Sequence, residues 1–168
     1  YATNPVINIV TSLLIIIGGI GYIVWWDVIR IMKMFPKYKL KSFGFLTLHS
    51  KIAIVTTVVL IVSGGLLIFV FEYNNPLTLK DYSLFDKLQI SFFQSVTTRT
   101  AGFASVDQQS LTNSSAIVSL LLMLIGGSPV GTAGGVKTVT IAVLIITAYS
   151  MARDRNEIIA FNRAISQK

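Results

Sequence analysis

Two stretches of the sequence hold residues whose types and spacing could act on an ion: Thr97-Thr98-Arg99-Thr100-Ala101-Gly102-Phe103, and the glycine-rich run from Gly126 to Gly135 that leads into Val136-Lys137-Thr138. The first is rich in hydroxyls and holds a glycine, which relaxes backbone limits and lets successive carbonyls face one way. An unpaired backbone carbonyl in an apolar medium costs several kcal/mol, and a dehydrated cation supplies the missing partner. Thr100, Ala101 and Gly102 are the candidate carbonyl ligands, and Phe103 joins them while wedging the loop against its neighbours. The alternative is that Gly102 simply closes a re-entrant turn without an ion.

Which reading holds depends on the elements that position the loop. The chain has 168 residues, 53% hydrophobic and 12% charged, with a mean hydropathy of +0.71. That is far more apolar than an ordinary soluble domain. The apolar residues come in long runs near 6–26, 52–71 and 112–150, the pattern of membrane segments. Asn4 and Pro5 mark a helix entry for the first, which is read through Trp25 and Trp26 at an interface. Beyond it lie Arg30, Lys33, Lys37, Lys39, Lys41 and Lys51 against Asp27, and after the third segment Arg153, Arg155, Arg163 and Lys168 against Asp154 and Glu157. Both basic clusters are read as cytoplasmic. The stretch after the second segment, with Glu72, Lys80, Asp81, Asp86 and Lys87, is nearly balanced and is read as external.

The net charge of +7 thus reflects topology, and no nucleic-acid partner is expected. The absence of cysteine excludes disulfides and thiol chemistry, and a single histidine speaks against a histidine metal site. His49 is read as an ordinary interfacial residue. The first residue is not methionine, so the sequence reads as an excerpt from something longer.

Between the second and third segments, Ser83-Leu84-Phe85-Asp86 has the spacing of a helix capping box, with an apolar helix to Val96. About 13 helical residues make only ~20 Å, too short for a hydrocarbon core of ~30 Å. The helix must enter from outside and turn back at Thr97–Phe103. Thr112 to Ser150 poses the opposite problem, since as unbroken helix it would measure about 58 Å. Five glycines and Pro129 oppose helix between 126 and 135. A break at membrane depth must line a cavity or be buried in protein. The run, small and hydroxylated, is expected to be mobile and to lie beneath the first loop.

Lys137 ends that run, where a charge is costly enough to suggest function, either anchoring the loop or tuning it. The alternatives are that it snorkels to the cytoplasmic face or pairs with a carboxylate elsewhere. Arg99 either braces its loop through hydrogen bonds or controls ion entry directly, and Asp107 either attracts cations or is a solvated loop charge. Gly18, Gly19 and Gly21, with Gly64 and Gly65, are read as close helix packing. Gly131 to Thr138 does not fit a nucleotide-binding P-loop, because Val136 intervenes before the lysine and an apolar helix, not a strand, precedes it.

The segments Ser95–Phe103, Gly126-Gly127-Ser128-Pro129 and Gly134-Gly135-Val136-Lys137-Thr138 resemble the Ktr/Trk/HKT superfamily of potassium transporters, and most closely the membrane subunit of a bacterial Ktr system. The resemblance covers essentially the whole chain. It implies an all-α membrane protein in which four joined helix–pore loop–helix repeats surround one pore, with a glycine as the signature of each filter loop. On that pattern residues 1–33 are the closing transmembrane helix of one repeat and 34–51 a basic cytoplasmic loop. The complete repeat follows, with its first transmembrane helix at 52–72, pore helix and filter loop at 83–103, and an interrupted second helix at 112–150. Residues 151–168 are a cytoplasmic tail or linker to the next repeat.

Thr100, Ala101, Gly102 and Phe103 would be the K⁺ filter, and Gly126, Gly127, Ser128, Gly131, Thr132, Gly134, Gly135 and Lys137 an intramembrane gate. The expected function is potassium uptake across the plasma membrane, channel-like or coupled to Na⁺, with no organic cofactor. The implied partners are the remaining repeats, a second copy in a homodimer, the lipid bilayer, and cytosolic nucleotide-binding regulatory subunits (KtrA-like, of RCK type). A membrane enzyme or ATPase, and a purely structural subunit whose glycines only pack helices, are the competing classes. The first would need acid–base or metal-binding side chains in the membrane, where Lys137 and Arg99 are the ionisable candidates.

Overall fold

The computed structural model describes residues 2–38, 44–99, 101–153, 158–160 and 163–165. Thr100, Lys39, Lys41, Asp154, Arg155, Glu157 and Lys168, all used in the sequence reading, lie outside the described residues. Among the described residues six α-helices follow one another: α1 Pro5–Ile20, α2 Tyr22–Tyr38, α3 Leu48–Glu72, α4 Leu84–Thr97, α5 Asn113–Leu124 and α6 Thr138–Ala152. The expectation of an all-α chain needs one amendment. Two short strands, β1 Ile158–Ala160 and β2 Arg163–Ile165, pair antiparallel within the tail.

α1 starts where Asn4 Oδ1 accepts from the amides of Val6 and Ile7 at 3.1 and 3.2 Å, with Pro5 in the first turn. It does not run on through the tryptophans. Gly21 adopts φ 84°, a conformation that suits glycine, and the chain bends by 103° into α2. The single segment expected over 1–33 is therefore two helices, and α2 extends helix to Tyr38, into the expected loop.

α3 is the one helix among the described residues long and apolar enough by itself to cross a membrane, at 25 residues with a hydropathy of 2.7 over its best stretch. It forms the spine, packing against α4 above all and also against α1, α2, α5 and α6. Close approach is built in. A Cβ at Gly64 would meet Ser95 Oγ at 2.5 Å and Leu122 Cδ1 at 2.7 Å, and one at Gly65 would meet Phe92 at 2.9 Å. Both halves of the interrupted helix, α5 and α6, lie against this spine.

The distribution of polarity is inverted relative to a water-soluble bundle. Ser50, Thr57, Ser91, Ser95, Ser115 and Thr138 are buried, while Val6, Val10, Leu14, Val59, Leu120 and Ile145 are exposed. Burial of small hydroxylated residues between helices, with large aliphatics outside, fits lipid or further helices as the surrounding medium. At one end Glu72 accepts from Asn75 Nδ2, Thr78 Oγ1, and the amide and hydroxyl of Thr112, tying α3 to the start of α5. At the other, Asp27 accepts from Thr47, Ser50 and Arg30, tying α2 to α3.

Candidate functional site

The first candidate loop hangs from the C-terminal end of α4. Ser83 Oγ accepts from the amide of Asp86, so the helix begins at the capping residue and ends after 14 residues at Thr97. Its end is fixed laterally, because Ser95 Oγ donates to the Ile61 carbonyl of α3 at 3.0 Å. The Thr97 carbonyl accepts from both the Ala101 and the Gly102 amides, at 3.0 and 3.1 Å, which curls the chain back on the helix end. Gly102 sits at φ 76°. Thr97 Oγ1 donates to the Phe103 carbonyl at 2.7 Å.

A cavity of about 490 Å³ opens on this loop, lined by Thr97, Thr98, Ala101, Gly102, Phe103 and Gln94 among others. The negative end of the α4 dipole points toward it. Phe103 is half exposed and lines a second cavity together with Ile7, Thr11, Leu14 and Ile15 of α1 and Phe93 of α4. Across the mouth, buried Gln94 donates to Gln108 Oε1 at 2.7 Å. Asp107 caps the short 3₁₀ turn Gln108–Ser110 through the Gln109 amide and Ser110 Oγ, at 3.2 and 2.9 Å.

The second candidate loop, 125–137, joins α5 to α6 and is knit together, in contrast to the free loop its composition suggests. The Gly126 amide donates to the Val136 carbonyl at 3.0 Å and the Val136 amide to the Leu124 carbonyl at 2.9 Å. Ser128 and Thr138 share a buried hydroxyl contact at 3.1 Å. Lys137 Nζ turns back to the Ala133 carbonyl at 2.7 Å, inside the loop itself.

The loop also completes α1. The last carbonyls of a helix lack intrahelical partners. Here Trp25 Nε1 donates to Ile17 O at 2.9 Å, the Thr132 amide to Gly18 O at 3.3 Å, and the Ser128 amide to Gly19 O at 2.8 Å. Among the described residues Gly18, Gly19 and Gly21 therefore seat this loop, not a neighbouring helix. A Cβ at Gly21 would meet Pro129 O at 2.6 Å, and one at Gly127 would meet Gly19 O at 2.6 Å.

Arg99 joins the two loops. It is 7% exposed, and its Nη2 donates to the Gly126 carbonyl at 3.1 Å. Its charge thus faces the second loop and braces the first from behind. Sequence reasoning missed Gln94, Glu72, Asp27 and Trp25 as positioning residues. The one available signal was a polar residue at the edge of an apolar run with Thr, Ser or Asn close by, as at Glu72-Asn75-Thr78. Among the described residues no group of three or more carboxylates and histidines is placed to hold a metal ion.

Residues 1–168 match the family model described as TrkH, cation transport protein. The chain is 38% identical over 165 residues to the potassium/sodium uptake protein NtpJ of Enterococcus hirae, a match covering 98% of this chain and 34% of that protein. It is 37% identical over 165 residues to the Ktr system potassium uptake protein B of Bacillus subtilis, covering 98% of this chain and 35% of that one. The protein of the same name from Vibrio alginolyticus is 32% identical over 166 residues, covering 99% and 35%. The chain spans about a third of the length of these curated relatives.

Proposed function

The chain belongs to the TrkH family of cation transport proteins, and from that premise we propose that it supplies one filter loop and one gate loop to a multi-pass plasma-membrane protein that takes up K⁺. The observation that carries the reading is the chain just beyond α4: a short helix ends at Thr97, the chain curls back through Gly102 at φ 76°, and Ala101, Gly102 and Phe103, with their backbone carbonyls, line a cavity of about 490 Å³. Such carbonyls replace part of a hydration shell. One loop cannot surround an ion, so three more from the remaining repeats complete the ring. Thr100, Ala101, Gly102 and Phe103 are its ligands here, with the Phe103 carbonyl positioned by Thr97.

The gate is the loop from Gly126 to Lys137, braced to the filter by Arg99 and held by its own Lys137. Transport needs no covalent step, and the relatives are cation transporters, not enzymes. K⁺ is the substrate. Na⁺ is a second ion, a reading supported by the name potassium/sodium uptake protein carried by the Enterococcus hirae relative. The Bacillus subtilis and Vibrio alginolyticus relatives are named as parts of a Ktr system. We read residues 34–51 and 151–168 as the cytoplasmic face for nucleotide-binding regulatory subunits. The exposed aliphatic faces of α1, α3 and α5 are read as contacts with other repeats, a second copy and lipid.

Gly102→Ser in the full-length transporter, expressed in cells lacking other K⁺ uptake, tests the filter. The preference for K⁺ over Na⁺ is expected to fall by about tenfold, one RT-scaled step of ~1.4 kcal/mol in site energy. An unchanged preference at normal expression would remove Gly102 from the filter.

A further inference from the structure

Arg99 Nε and Thr57 Oγ1 are both buried without any hydrogen-bond partner among the described residues. An orphaned hydroxyl in the middle of a helix and an orphaned guanidinium N–H are each costly. The two residues belong to elements far apart in sequence, yet they line the same small space, of about 10 Å³, bounded also by Gly19 of α1, Gly127 of the gate loop, Ile61 and Val96. That volume is about one water probe, too small for a hydrated ion or an organic ligand. A cation there would face the guanidinium charge.

We propose that this space is a single-water site, with the water accepting from Arg99 Nε and bonded to Thr57 Oγ1. The water lets one guanidinium hold the gate loop through Gly126 O and the middle of α3 through Thr57 at once. Arg99 is then a positioning residue that couples filter and gate. Its charge lies beyond the C-terminal end of α4, where the helix dipole favours a cation. Thr57 contributes its hydroxyl, not its shape. This inference rests on the reading of Thr97–Phe103 as filter and Gly126–Lys137 as gate.

The test uses the full-length transporter with its regulatory subunits, reconstituted in liposomes. Thr57→Val keeps the shape and removes the hydroxyl, and it is expected to raise K⁺ flux in the inactive state by about fivefold, the loss of one hydrogen bond. Thr57→Ser, which restores the hydroxyl, should recover most of the lost closure. Arg99→Met should raise the same flux further, and adding Thr57→Val to it should change nothing more. An experimental map fine enough to show solvent should hold one water peak between the two residues, absent in Thr57→Val. Leak in Thr57→Ser but not in Thr57→Val would make the role one of packing and overturn the proposal, as would additive effects of the two substitutions or no peak in the wild type. If the wild-type protein moves K⁺ but Thr57→Val leaves closure unchanged, this inference alone fails. If the wild type moves no K⁺, the transport reading fails and takes the coupling with it.

Discussion

The two loops use glycine for opposite reasons. At Gly102 a Cβ would meet nothing within 4 Å, so the requirement there is the backbone angle of φ 76° alone. At Gly126 a Cβ would lie 1.6 Å from the Gly134 carbonyl oxygen, so the requirement is room for backbone against backbone. The first loop lines an open cavity, whereas the second spends amides and carbonyls on itself and on the end of α1. Under the proposed function the first offers ligands, and the second is a fitted part that is lifted out when the pore opens. Glycine content alone does not separate these roles, because both sequences look equally permissive.

The largest effect should come from Gly126→Ala. The methyl group has no space, and the obstructing atom is backbone that cannot rotate away, so the loss should exceed about 3 kcal/mol. Thermal unfolding of the full-length protein in detergent should drop sharply, or folded protein should fail to accumulate. Gly102→Ala should cost only about 1–2 kcal/mol, the penalty of a left-handed angle without a clash. Its signature should be altered ion preference at nearly normal stability. Should Gly102→Ala prove as destabilising as Gly126→Ala, the distinction between an angle glycine and a space glycine would collapse.

The sequence made the local parts of this arrangement legible. Ser83 and Asp86 mark the start of α4, because a cap and its helix lie within four residues of each other. The glycines and Pro129 lie in the break between α5 and α6, because propensity is also local. The bend at Gly21 was hidden, since a glycine within an apolar run reads as helix packing. Its reason lies in Pro129 and Ser128, more than a hundred residues later. Glu72 was read as one charge in a balanced external stretch, yet it is buried and takes donors from Asn75, Thr78 and Thr112. The choice between two roles for Arg99 likewise turned on one distant carbonyl, at Gly126.

Lys137 sharpens the contrast at a smaller scale. Its ammonium bonds a carbonyl four residues back within its own loop, so the charge stabilises the fitted conformation and not the filter. Lys137→Met keeps the stem and removes the charge-assisted bond, a change worth about three- to tenfold in the closed-to-open balance. Basal K⁺ flux should rise by that factor while the K⁺ over Na⁺ preference stays as in wild type. A shifted preference with unchanged basal flux would place Lys137 in the filter's field instead.

The smallest effect expected is a gain. Val130 has φ 61°, the one described non-glycine residue with a positive φ, directly after Pro129 in the gate loop. A β-branched residue there carries strain of about 1–3 kcal/mol, whereas the filter loop places its positive angle on a glycine. Val130 is 50% exposed, so its side chain contributes little packing that a substitution would lose. Val130→Gly relieves the strain but gives back about 0.5–1 kcal/mol of chain entropy in the unfolded state. The net should be a rise in melting temperature of about 2 °C. Val130→Ala is the control, because it trims the same exposed atoms and keeps most of the angle penalty, so it should gain less. If alanine and glycine raise stability equally, the exposed aliphatic surface and not the backbone angle is the cause. If both lower it, Val130 packs against another repeat in the assembled transporter, and the gate loop is fitted on that side as well.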